Sequence, residues 1–174
     1  MTVSESPIRS ATIPLVALSS WWTLRAAVKS NFWCFLDFVN LPFHEAGHIA
    51  FSLFGETLHI LGGALAQLLI PGGLVAYFLL KERKPFAAAF CFWWFGENFV
   101  NIARYMADAR ELELPLAGGG DHDWNELFYR WNLLTEPRVH AVATAAHHFG
   151  VGLMLAGVVW LVVIAFRAPA SSHR

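Results

Sequence analysis

Asn40-Leu41-Pro42-Phe43-His44-Glu45-Ala46-Gly47-His48-Ile49-Ala50-Phe51 is the stretch on which the reading of this chain turns. Its flanks are apolar on both sides, and residues 31–54 are numerous enough to cross a bilayer, whose hydrocarbon core takes about 20 helical residues. Two imidazoles and a carboxylate stand inside that stretch. A charged side chain at mid-membrane costs about 2.5–3.5 kcal/mol even on the gentlest scale, so such a cluster calls for a functional reason.

Working outward, residues 58–80, 86–106 and 149–166 are equally apolar and long, and 56% hydrophobic against 14% charged residues is a balance suited to lipid. The expected fold class is all-α, a polytopic membrane helix bundle with about four transmembrane helices. Residues 1–30 read as a polar, disordered tail (1–12) followed by Trp21-Trp22 with Arg25 and Lys29, either an interfacial segment or a short soluble helix. Residues 31–174 read as one membrane domain, with an extramembrane segment at about 107–148 that contains the Gly118-Gly119-Gly120 turn. Pro14 interrupts the only early apolar run, which argues against a cleaved signal peptide.

With four crossings, Arg9, Arg25, Lys29, Lys81, Arg83, Lys84, Arg167 and Arg174 fall on one side, and Arg104, Arg110, Arg130 and Arg138 on the other. The excess of basic residues predicts a multi-pass integral membrane protein with both termini in the cytoplasm and residues 107–148 outside. A net charge of -1 without a basic patch gives no surface for nucleic acid. Cys34 and Cys91, far apart in apolar sequence, read as packing residues.

In HExxH on a helix, residues i and i+4 project from one face about a turn apart and can share a metal, zinc being the expected cofactor. Glu45 then stands beside the metal as a general base for water. Asp37, Asn40, His44 and His48 form one polar stripe if the helix continues through Pro42. Counting helical rise from each stretch's outer end puts His44 about 15 Å, His48 about 9 Å, Gln67 about 13 Å, Asn98 about 12 Å and Asn101 about 8 Å deep, a shared level. Asn98, Asn101, Tyr105 and Asp108 follow helical spacing as an inward ridge. Asn98 and Asn101 are expected either to orient substrate and stabilise an oxyanion or to hydrogen-bond between helices. A catalytic zinc needs a third protein ligand. His122, on a loop able to dip inward, is the first choice, Asp108 the second and Glu97 the third, with His147 and His148 also open.

Phe43-His44-Glu45-Ala46-Gly47-His48 in an early membrane helix, followed by a polar third helix, resembles the site-2-protease group of intramembrane zinc metallopeptidases. The resemblance implies zinc at His44 and His48, Glu45 as the base, and a membrane-embedded peptide as substrate. The family's second motif, an Asn and Pro followed by Leu-Asp-Gly, has as its nearest counterpart Asn101-Ile-Ala-Arg-Tyr-Met-Ala-Asp108, which lacks the proline and the glycine. The expected function is therefore a membrane-embedded zinc-dependent hydrolase, a metallopeptidase first. The alternatives are a lipid amide or ester hydrolase and a non-enzymatic metal- or haem-binding membrane subunit.

Overall fold

The computed structural model describes residues 7–116 and 121–167, so the Gly118–Gly120 turn, residues 1–6 and Arg174 lie outside the described residues. Those described form α-helices without any strand: α1 (Pro7–Val28), α2 (Phe35–Phe51), α3 (Glu56–Leu80), α4 (Pro85–Ala107), α5 (Asp123–Arg130) and α6 (Glu136–Arg167). A single 3-10 turn, Ser52–Phe54, joins α2 to α3.

α1 begins inside the stretch expected to be a disordered tail. It earns its place by packing on the bundle: Trp22 stacks on Trp93 with ring centroids 5.8 Å apart, and Thr23 Oγ1 accepts the Trp93 indole N–H at 2.9 Å. α2 starts after Cys34, whose backbone N–H donates to Asp37 Oδ2 at 2.6 Å, and runs unbroken through Pro42. The polar stripe therefore holds together on one helix, with Asp37, Asn40 and His44 all buried.

Among the described residues, α3 and α6 are the two helices long and apolar enough to cross a membrane. α2 has only 17 residues, and α4 carries Glu97, Asn98, Asn101 and Arg104 along its inner half. Length and composition therefore pick out two of the four expected crossings. α6 has 32 residues, starting well before the stretch expected from hydropathy, and its early residue Val139 joins an apolar cluster with Trp124, Leu127 and Phe128 of α5, Ala64 of α3 and Ile102 of α4.

Glycines set two close helix approaches. A Cβ at Gly150 would lie 2.7 Å from the Gly96 carbonyl oxygen, so α6 and α4 touch backbone to backbone there. A Cβ at Gly62 would lie 2.6 Å from the Gly47 carbonyl oxygen, which closes α3 on α2 beside the histidines. Small residues at such crossings give dispersion contacts that an apolar bundle in lipid depends on.

Candidate metal centre

His44 and His48 leave α2 on one face, one turn apart, with ring centroids 4.7 Å apart and nearly perpendicular. Both Nε2 atoms meet a single oxygen, Asp123 Oδ2, at 2.8 Å from His44 and 3.3 Å from His48. The three donor atoms lie within 4.8 Å of one another. Their far sides are tied down: His44 Nδ1 is 3.0 Å from Gln67 Oε1, and His48 Nδ1 is 2.9 Å from the His59 carbonyl oxygen. His59 returns the contact by donating from Nδ1 to the His48 carbonyl oxygen at 2.8 Å. An amide or carbonyl oxygen can only accept, so each ring has Nδ1 as a donor and turns Nε2 toward Asp123 Oδ2, an acceptor for an Nε2 proton unless a cation takes the Nε2 lone pairs.

Two imidazole lone pairs and a carboxylate oxygen facing one point repel each other unless protons or a cation lie between them. Ligands about 2.0–2.1 Å from a tetrahedral zinc stand about 3.3 Å apart, against 2.8 and 3.3 Å from Asp123 Oδ2 to the two Nε2 atoms, and metal-bound histidines characteristically donate their other N–H to an oxygen. The donor set and its outer hydrogen bonds thus fit a zinc-like cation. Both imidazoles belong to one helix face rather than opposing each other across a gap, which does not suit haem between them.

Burial alone would raise the Asp123 carboxyl; its contacts with His44 and His48 outweigh this and hold its pKa below the usual carboxylate value. Asp123 is brought in by α5, an eight-residue helix whose Trp124, Leu127 and Phe128 are buried. His122 is its N-cap: Nδ1 accepts the Asn125 N–H at 3.2 Å, and Nε2 lies 3.3 Å from Asp108 Oδ2. Burial pushes the His122 imidazole below its usual pKa, with Asp108 opposing. Asp108 in turn accepts the N–H groups of Glu113 at 2.9 Å and Leu114 at 3.1 Å. The two residues favoured from sequence as third ligand therefore do not join the histidine pair. They build the turn that delivers Asp123.

The remaining candidates sort by direction around α4. Asn101 lines the cleft beside the pair and accepts from Gln67 Nε2 at 3.1 Å. Asn98 is fully buried and donates to the Trp94 carbonyl oxygen at 3.0 Å, and it is not among the residues lining the cleft. Glu97 is occupied by Asn40 Nδ2 at 3.0 Å and Cys34 Sγ at 3.6 Å, and His147 reaches the backbone of Ala26. Cys34, Asp37 and Glu97 form a second convergent group, but Arg104 Nη2 already pairs with Asp37 at 3.0 Å. His59 and Asp123 were not foreseen from sequence. The available signal for Asp123 was its place on the inward face of an amphipathic turn, four residues before Leu127.

A cleft of about 870 Å³ opens over the site and is lined by His44, Glu45, His48, Gln67, Asn101, Tyr105 and Asp123. Trp33, Phe38 and Leu41 form its apolar edge, and Phe38 is 69% exposed on the outer surface. Ligand sites of this kind typically span about 300–1,000 Å³. No family model, curated protein or solved structure matches the chain. Its chemistry has to be read from the site itself.

Proposed function

We propose that the protein is a membrane-embedded zinc-dependent hydrolase that cleaves a peptide bond of a membrane-anchored substrate, with His44, His48 and Asp123 as the metal ligands. The observation carrying this reading is the convergence of two Nε2 atoms and Asp123 Oδ2 at the floor of an open cleft. A bound zinc would polarise a carbonyl and lower the pKa of water. Glu45, between the two ligands on α2, lines the cleft and makes no hydrogen bond or ion pair with the described residues, which suits a general base. Tyr105 Oη accepts the Asp123 N–H at 3.1 Å, leaving its own hydrogen to donate to an oxygen that gains charge in the cleft. The choice of a peptide bond rests on the resemblance carried by His44-Glu45-Ala46-Gly47-His48.

A membrane setting with α2, α3, α4 and α6 as crossings and both termini cytoplasmic is part of the proposal. Only 22% of the apolar window of α3, and 22% of that of α6, is buried within the protein, the reverse of a soluble core helix. The polar residues of α2 and α4 face each other instead of lipid, as such residues must in a bilayer. The exposed apolar edge of the cleft suits a substrate arriving sideways from the membrane. In detergent-purified protein, Glu45→Gln is expected to keep stoichiometric zinc while cleavage of a membrane-anchored reporter peptide falls about 10²–10⁴-fold. Full turnover in that variant would remove Glu45 as the base.

A further inference from the structure

Four residues behind His44 form a directed chain that ends on its Nδ1. Asp37 is buried, and its carboxylate takes Arg104 Nη2 at 3.0 Å and the Cys34 N–H at 2.6 Å. Arg104 is itself fixed, donating from Nη1 to the Phe32 carbonyl oxygen at 2.6 Å and lying 3.6 Å from the centre of the Trp33 ring. A carboxylate paired with a guanidinium only accepts, so Asn101 has to turn its NH2 toward Asp37, and it does. The Asn101 carbonyl oxygen then faces Gln67 Nε2 at 3.1 Å, which leaves Gln67 Oε1 to face His44 Nδ1 at 3.0 Å. Each amide has one donating and one accepting end, so the direction set at Asp37 passes unchanged across three helices.

We propose that the Arg104–Asp37 ion pair, relayed through Asn101 and Gln67, fixes the proton of His44 on Nδ1 and so keeps Nε2 as the metal-binding lone pair. Asp37, Asn101 and Gln67 act as positioning residues in this role. If Gln67 turned over, its NH2 would face His44 and drive the proton to Nε2, closing that ligand position. The functional consequence rests on the zinc reading above; in the metal-free chain Asp123 Oδ2, 2.8 Å from Nε2, competes for the same proton, so the relay's own pull on Nδ1 is read with that carboxylate removed.

The test uses the full chain in detergent, with zinc affinity measured by chelator competition in chains that keep Asp123 and the ring nitrogens of His44 read by ¹⁵N NMR in the metal-free Asp123→Ala background above the histidine titration range. Asp123→Ala alone should show His44 protonated on Nδ1. Asn101→Leu frees Gln67 to turn, and zinc binding should weaken about 10–100-fold with an Nε2-protonated form appearing. Gln67→Glu added to Asn101→Leu presents His44 with an oxygen in either orientation, and should restore both the Nδ1 signal and most of the zinc affinity. A role as simple interhelical glue would not be rescued this way, because the contact to position 101 is still missing. Unchanged affinity in Asn101→Leu, no rescue by Gln67→Glu, or a bare His44 Nδ1 in Asp123→Ala protein would each overturn the relay. The Asp123→Ala NMR result decides even if an Asn101→Leu variant fails to fold. Wild-type protein that binds no zinc, with the Nδ1 proton present in Asp123→Ala, would sink the metal reading and leave the relay standing.

Discussion

The two faces of α4 are built to opposite rules. Toward α6 the seam is glycine and hydrocarbon: Gly96 against Gly150, Gly157 against Trp93, and Met154 in one apolar cluster with Trp93 and Val100. Toward α2 and α3 the seam is polar, running from Arg104 and Asp37 through Asn101 and Gln67 to His44. Close glycine contact occurs on this side as well, yet Gly63 backs directly onto the His44 ring, where a Cβ would lie 2.5 Å from Cε1. One seam fixes the helices and the other fixes the ligands. Damage to the first should appear as lost stability, and damage to the second as lost metal affinity in a folded protein.

Gly150→Ala strikes the first seam where it is tightest. Forcing a methyl against the Gly96 carbonyl and the Phe99 Cβ is expected to cost about 1–3 kcal/mol, seen as a lower unfolding midpoint in detergent, with zinc affinity of the folded fraction unchanged. A fall in affinity as large as that of a ligand variant would show that the two seams are not separate. Gly63→Ala is the matching change on the other side and should have the smaller effect on stability. Its methyl displaces the His44 ring, so zinc binding is expected to weaken about tenfold or more while the unfolding midpoint of metal-free protein stays near wild type. Equal zinc affinity would mean that the ring has room to spare.

Much of this arrangement could be read from spacing. The histidine pair follows from i and i+4 on a helix. The shared level of His44, Gln67 and Asn101, obtained by counting rise, corresponds to a continuous hydrogen-bonded row. Rise gives height but not direction: Asn98 donates to the Trp94 carbonyl oxygen of its own helix, while Asn101 and Tyr105 reach the cleft. Asp123, the proposed third ligand, eluded sequence reasoning for a different reason. His122 and Asp123 are neighbours, and the start of α5 between them makes the first a cap and the second an inward carboxylate. α1 was hidden because its polar face, Ser19 and Thr23, is buried only through contacts with distant helices such as that of Thr23 with Trp93.

Zinc stoichiometry in folded, detergent-purified protein, compared between wild type, Asp123→Ala and His122→Gln, bears most directly on the centre proposed here. One zinc per chain is expected in wild type and in His122→Gln, whose side chain still offers an acceptor to the Asn125 N–H, and well below one in Asp123→Ala at matched protein concentration. Wild-type protein without stoichiometric zinc, or Asp123→Ala that keeps it while His122→Gln loses it, would contradict the account.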